Sequence, residues 1–483
     1  MADQEQQVQP SHVVMLPYIA QGHIKPLLCL AQLLSQSGLY ITFLNTHHNH
    51  KRFANLQALS KNFPNLHFDS ISDGLPDDHP RPSFDLDYFL GINVATKPHF
   101  KDLLLSYRSN SSHHSVCRPP PPVTCIIADG VLSFPVEVAE ELEIPIFSFC
   151  SHTARYLWEY YTIAKLIGKE NNEEEEINPM PGFDLGCEDL PGFDMEILDQ
   201  SPSLQVLIDG SLAMQRTSGL IINTIDDLEA SSLPHIVPRF RKVYTVAPLH
   251  ALLNSRLGDR SHVIASDGSL WNADQDCMTW LDSQPLRSVL YVSFGSLVKL
   301  SHSQLVEFLH GLVLSGYPFL WVIRQDVLFD DDTDGVIEKE YQCINSACVV
   351  KLWRIGVQLD AIDGSSIQST INTLMGNRRD EFQRSVDRIA KLAEDGISED
   401  LPGFKIEQVK VEVEDHTVLH ISCEKSINKK EINYKWYQVE TKINDKILKR
   451  FKLPENVKVD TIKASMDNNG VLTITIPKDK LNK

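Results

Sequence analysis

Apolar positions along the chain follow helix-like and strand-like rhythms, and their arrangement changes with position. "HVVMLPY" (His12 to Tyr18) is a short apolar run, "IKPLLCLAQLL" places Ile24, Leu27, Leu28 and Ala31 on one helical face, and "LYITFLNT" (Leu39 to Thr46) is β-branched and aromatic. Strand, helix and strand in succession predict a parallel sheet. "PPVTCIIADG" (Pro121 to Gly130) repeats the form with a Pro-rich lead-in, a buried strand and an exposed polar end. A second α/β unit is predicted from "SVLYVSFGS" (Ser288 to Ser296). Behind it Ser301 and Gln304 fit a capping box, and Leu305, Phe308, Leu309 and Leu312 form an apolar stripe. "FLWVIR" (Phe319 to Arg324) is the next strand.

There the repeat breaks. Only 18 residues, Gln325 to Gln342, separate that strand from "CINSACVVKLWRIGV", and a strand-helix-strand crossover takes roughly 30. The half-domain is therefore expected to be incomplete. Further on, Phe382, Val386, Ile389 and Ala393 keep helical spacing. From Val409 the chain alternates instead, with Val409, Val411 and Val413 on one side and Lys410, Glu412 and Glu414 on the other. That is the pattern of a half-buried strand. Three domains follow: 1–250, 251–400 and 401–483.

Charge sharpens the last boundary. The net charge is −19, yet residues 401–483 hold 16 Lys and Arg against 12 Asp and Glu, so they carry +4 and the first 400 residues −23. An acidic body argues against a nucleic-acid partner, because phosphate binding needs a basic face. The nine cysteines are scattered, odd in number and without a CxxC pair, so neither a zinc site nor a disulfide framework is indicated. The start, "MADQEQQVQPSH", lacks the charge and apolar pattern of a signal peptide, and no run of about 18 apolar residues occurs. The expected compartment is the cytoplasm, where the sequon at Asn110 is inert.

Several segments invite chemistry. His23, in "AQGHIKP", sits where a strand ends and a helix begins, the edge at which open α/β folds place ligands. The positive end of the helix dipole disfavours protonation there, so a neutral imidazole acting as general base fits the position. Asp129 ends another strand of the same sheet and can hold the His tautomer and stabilise an imidazolium. Spacing alone leaves open that these are two unrelated polar residues at strand ends. "SFGS" is a small-residue turn whose backbone N–H groups and Ser296 hydroxyl can face a phosphate, though no Walker motif follows. "DDDTDG" puts Asp330, Asp332, Asp334 and Gly335 at calcium-loop positions, but Tyr341 stands where a bidentate Glu is needed, favouring a solvated acidic turn. "KENNEEEEINP" likewise reads as a solvated loop.

Taken together, "HVVMLPYIAQGHIKPLLCLAQLL", "VTCIIADGVLSFPVEVAEELEIPIFSF" and "WLDSQPLRSVLYVSFGS" resemble the plant family-1 UDP-glycosyltransferases, over about residues 10–327 and again to about 399 through "MGNRRDEFQRSVDRIAKLAE". The resemblance implies a GT-B fold with two Rossmann-like α/β domains. It also implies an inverting hexosyl transfer from UDP-glucose, a substrate and not a cofactor, to a small lipophilic plant metabolite. His23 then resembles the catalytic base and Asp129 its partner. Gly295 and Ser296 match the turn that approaches the donor diphosphate. The family's long donor-binding signature has no counterpart between Arg324 and Ile344. Gln342 is at best its last remnant, with Tyr341 where the sugar-binding acid belongs. Each charge-assisted hydrogen bond to a ligand contributes about 1.5–3 kcal/mol, so losing several is expected to impair donor binding.

The tail, "LPGFKIEQVKVEVEDHTVLHISCEK" through "KRFKLPENVKVDTIKASMDNNGVLTITIP", resembles the α-crystallin domain of plant class I small heat-shock proteins over Leu401 to about Lys480. It implies an all-β sandwich with Leu472, Ile474 and Ile476 on one face and a turn at Asn468 to Gly470. The edge strand before "LPGF" and the C-terminal docking tail of that family are missing. A chaperone-like module binding unfolded clients or self-associating, and an inert fusion of two incomplete coding regions, natural or made by gene prediction, therefore stand beside the glycosyltransferase reading.

Overall fold

The computed structural model describes residues 11–53, 55–76, 79, 81, 86–109, 120–169, 202–246, 248–258, 276–295, 300–323 and 348–398, and five strands between 409 and 475. The chain divides into two compact units, Met1–Ala390 and Lys391–Lys483.

In the first unit seven strands form one wholly parallel sheet. They are β1 (His12–Leu16), β2 (Tyr40–Thr46), β3 (Leu66–Ile71), β4 (Val123–Asp129), β5 (Ile146–Cys150), β6 (Gly219–Ile222) and β7 (Val243–Thr245), ordered β3-β2-β1-β4-β5-β6-β7. Helices α1 (Gln21–Gln36), α2 (His47–Arg52), α3 (Leu56–Asn62), α4 (Leu86–Ser109), α5 (Phe134–Leu142) and α6 (Ala154–Leu166) connect them. The unbroken apolar run of β1 has a direct cause: both its faces are covered. Val14 and Leu16 enter one core with Phe100 and Leu104 of α4 and Phe134 of α5. Val13 and Met15 enter the other with Ile24, Leu27 and Leu28 of α1, and Ile24, Leu27, Leu28 and Ala31 are all fully buried.

One polar side chain is locked into the lower end of this sheet. His12 is fully buried; its Nδ1 donates to the Pro121 carbonyl at 2.7 Å, and its Nε2 faces the Thr42 hydroxyl at 2.8 Å. The ring is satisfied on both sides as neutral imidazole. Desolvation pushes its pKa down to about 4.

A second, smaller sheet in the same unit pairs β8 (Leu290–Ser293) with β9 (Phe319–Val322) in parallel. The helix between them, His302–Ser315, begins with the predicted capping box: Ser301 Oγ accepts from the Gln304 N–H at 3.1 Å and Gln304 Oε1 from the Ser301 N–H at 2.9 Å. Of its predicted stripe, Leu312 is buried and Leu305 and Phe308 are partly so, but Leu309 is 47% exposed. The helix rests on the helix Gly364–Asn372 through Gly311 and Leu312 against Ile367. Leu309 lies about 160° round from Gly311 at 3.6 residues per turn, almost on the opposite side of the helix, which is why it stays exposed.

The periodicity from Phe382 falls in the helix Arg379–Ser398, where Phe382 is buried. In the second unit β10 (Val409–Glu414), β11 (Val418–Glu424) and β12 (Lys446–Lys452) form an antiparallel sheet, and β13 (Lys463–Met466) pairs antiparallel with β14 (Leu472–Thr475). The alternating stretch from Val409 is thus a strand. Ile476, the turn at Asn468 to Gly470 and the acidic stretch around Asp330 lie outside the described residues.

The buried His12 sets a pH dependence. Its folded pKa lies below the ordinary value of 6.5, so between about 6.5 and 4 the unfolded chain binds a proton that the folded one refuses. Stability is complete above pH 6.5 and lost as pH falls. The expected loss at pH 5 relative to pH 7 is about 2 kcal/mol from this group. Denaturant titrations at the two pH values check it, and His12→Gln is expected to flatten the difference; equal pH dependence in both chains would contradict the assignment.

Candidate active site

The strand order runs outward in both directions from the neighbours β1 and β4, and at that reversal the connections leave a crevice at the carboxyl edge. His23 and Asp129 both arrive there. His23 lies in the first turn of α1, whose N-cap is Ala20, and its backbone N–H donates to the Ala20 carbonyl at 2.9 Å. The turn between β1 and α1 is tied down by Asn49, whose Nδ2 donates to the Ile19 carbonyl at 2.9 Å. Asp129 is the last residue of β4 and is 2% exposed.

The two side chains meet. His23 Nδ1 lies 2.8 Å from Asp129 Oδ2, while Asp129 Oδ1 accepts from the Val131 N–H at 3.1 Å. With one oxygen held by backbone, the carboxylate aims the other at the imidazole. An ionised carboxylate accepts only, so Nδ1 carries the proton and Nε2 the lone pair. Ser151 Oγ sits 3.2 Å from the same Nδ1. Among the described residues both hydrogen bonds to the ring are made at that nitrogen, which leaves Nε2 for a reactant.

Two aromatic edges fix the plane of the imidazole. Tyr18 meets His23 at 5.2 Å between ring centroids, and His152 meets it at 5.1 Å, both near perpendicular. His152 in turn stacks on Tyr156 at 4.5 Å. The segment carrying Ser151 and His152 is set by the start of α6, where Thr153 Oγ1 accepts from the Tyr156 N–H and Glu229 Oε1 from the Ala154 N–H. Desolvation, with the neighbouring His23 adding to it, pushes the His152 pKa down to about 3. It is a neutral wall, not a second base. Sequence reasoning missed Ser151 and His152, yet the signal that picked out His23 and Asp129 applies to them: they directly follow the end of β5.

Behind Asp129 the backbone is packed to contact. A side chain at Gly210, in the helix Pro202–Met214, would place its first carbon 2.7 Å from the Gly130 carbonyl and 2.8 Å from that of Val131. Only glycine allows this approach. A cavity lined by Asp129, His152, Tyr156, Tyr160, Ser211 and Met214 lies alongside, its two tyrosines joined by a hydrogen bond from Tyr160 to Tyr156.

On the smaller sheet, Gly295 follows β8 with φ +68°, a left-handed turn that favours glycine, and its N–H donates to Ser293 Oγ at 3.3 Å. Ser296 and Gln342 lie outside the described residues. The structure therefore joins His23 to Asp129 and places Gly295 in a strand-to-helix turn. Among the described residues no helix is long and apolar enough to cross a membrane.

Comparison with known proteins gives two separate matches. The chain is 36% identical to mogroside I-A1 synthase of Siraitia grosvenorii, covering 81% of this chain and 86% of the relative. It is 34% identical to a 7-deoxyloganetic acid glucosyl transferase of Catharanthus roseus, covering 81% and 94%, and 34% identical to UDP-glycosyltransferase 85A5 of Arabidopsis thaliana, covering 67% and 68%. The first alignment spans 461 positions with 81% of 483 residues, so about 70 positions of the relative face no residue here. Among solved structures, Os79 of O. sativa in complex with UDP superposes with a TM-score of 0.64 at 20% identity, over 81% of this chain and 96% of that one. UGT71G1 of Medicago truncatula complexed with UDP-glucose gives 0.58 at 18% identity, over 82% and 95%. The model of the Hsp20/alpha crystallin family matches residues 394–483.

The environment of His152 makes a spectroscopic prediction. Its ring nitrogen shifts are expected to keep neutral-imidazole values between pH 5 and 8 in a histidine-resolved NMR titration, because burial holds the ring unprotonated there. A midpoint inside that window would contradict the arrangement.

Proposed function

The chain belongs to the plant UDP-glycosyltransferase family, and from that premise we propose that His23 and Asp129 are its acceptor-activating pair while its donor side is impaired. The observation that carries the reading is the 2.8 Å contact between His23 Nδ1 and Asp129 Oδ2 at the reversal of the sheet. An acceptor hydroxyl gives its proton to His23 Nε2 as its oxygen bonds to the anomeric carbon of a UDP-sugar. The bond from that carbon to the diphosphate breaks, UDP leaves with the electron pair, and configuration inverts. Asp129 holds the tautomer and stabilises the imidazolium. The acceptor is a small lipophilic molecule, in keeping with the apolar surroundings of the crevice.

The donor would approach the turn at Gly295 and Ser296. The roughly 70 unmatched positions support a shortened donor side, and the short interval from Arg324 to Ile344 is the place where we propose the shortening falls. A base without a held donor turns over slowly or not at all. The Hsp20/alpha crystallin match at 394–483 favours a second, separable activity in the tail, namely binding of unfolded clients or self-association.

Calorimetry with UDP is expected to give no saturable heat up to about 1 mM. Grafting the missing stretch from the Catharanthus roseus relative is expected to restore UDP binding and glucosyl transfer, and His23→Ala in that chimera to lower turnover by about 10²- to 10⁴-fold. Tight UDP uptake by the 483-residue chain would overturn the impaired donor side; an unaltered rate in His23→Ala would overturn the base. The tail is tested apart: the full chain is expected to slow light scattering by heated citrate synthase equally with His23 or Ala at position 23, and no slowing would remove that activity.

A further inference from the structure

A second cavity opens beside the pair, at the carboxyl ends of β1 and β2. It is bounded by apolar side chains, among them Leu16, Ile71, Ile92 and Phe134, and by Tyr18, the residue whose ring meets the edge of His23. The space inside suits about one water-sized group.

Four neutral polar side chains besides Tyr18 line it, and they divide into two pairs. Thr46 and Asn49 serve the fold: Thr46 Oγ1 accepts from the Asn49 N–H, and Asn49 Nδ2 donates to the Ile19 carbonyl. Asn45 and Thr96 do not. Each is only 2% exposed, and Asn45 Nδ2 and Thr96 Oγ1 have no hydrogen-bond partner among the described residues. A buried donor left unmade costs on the order of 1–3 kcal/mol, so two facing one small cavity are a feature to be explained.

Building on the acceptor reading above, we infer that Asn45 and Thr96 form a second polar anchor of the acceptor site, taking a neutral oxygen function of the lipophilic acceptor. The oxygen is one other than the hydroxyl presented to His23. Both residues offer hydrogen-bond donors, so the group must accept, as a carbonyl or hydroxyl does. No side chain lining the cavity carries a formal charge, so a carboxylate would lose its hydration without a counter-ion. Asn45 and Thr96 are thus specificity-determining residues for acceptors bearing two oxygen functions.

The test uses the full chain and two probes with one skeleton, 4-hydroxyacetophenone and 4-ethylphenol, which differ by a carbonyl in place of a methylene. Binding is read by ligand-observed NMR titration, so no turnover is needed. The native chain is expected to favour the ketone relative to Thr96→Val or Asn45→Leu by about tenfold, and Thr96→Ser, which keeps the hydroxyl, to retain the preference. If both probes bind and the ratio is the same in all chains, the anchor is overturned while the acceptor crevice stands. If neither probe binds at millimolar concentration, the anchor falls together with the acceptor reading. A lower melting temperature in Thr96→Val with an unchanged ratio identifies a structural water only, which also overturns the anchor.

Discussion

A parallel sheet covered by helices on both faces leaves its chemistry one place to go, the carboxyl edge. That constraint organises the first unit. Every residue of β1 is buried, so the strand can carry no reactive group along its length, and the first exposed opportunities come where the chain turns into α1. In β4 only the last four residues, Ile126 to Asp129, are buried, and the terminal Asp129 lies beside His23 because β1 and β4 are hydrogen-bonded neighbours in the sheet. The geometry of the pair is thus a by-product of strand order, tuned locally by the Val131 N–H and the rings of Tyr18 and His152.

Much of this was legible in the sequence. The runs at His12 and Val123 read as strands because continuous burial demands continuous apolarity, and the face of α1 read as a helix because Ile24, Leu27, Leu28 and Ala31 share one side. The capping box at Ser301 was readable because its two hydrogen bonds are local. Leu309 belongs to the apolar arc yet stays exposed, since which part of an arc is covered depends on where the neighbouring helix crosses, here at Gly311. Asn45 could have been picked from its place near the end of β2, but nothing along the chain marks Thr96, a threonine inside α4. Their common cavity brings together lining residues 51 positions apart.

The two units carry different physical signatures. The first is acidic, parallel and doubly covered; the second is antiparallel, with strands of alternating character, and its residues 401–483 carry +4. The family relationships divide at nearly the same place, the Hsp20/alpha crystallin match beginning at residue 394 and the compact units separating after Ala390. The contact boundary after Ala390, the family match from 394 and the change in charge counted from 401 fall within about a dozen residues of one another. Catalytic competence is a separate matter from kinship, because an activated hydroxyl needs a held electrophile, and holding a nucleotide sugar rests on several polar contacts acting at once.

Gly210 has a bearing on how such a chain can drift. The residue is no part of the His23–Asp129 pair and lies 81 positions from Asp129, yet its missing side chain lets a helix settle onto the two carbonyls that follow that carboxylate. Any single-codon change there inserts at least one carbon into occupied space. An alignment column at this position would remain invariant long after selection on the chemistry itself had lapsed, so its persistence would testify to architecture and not to turnover.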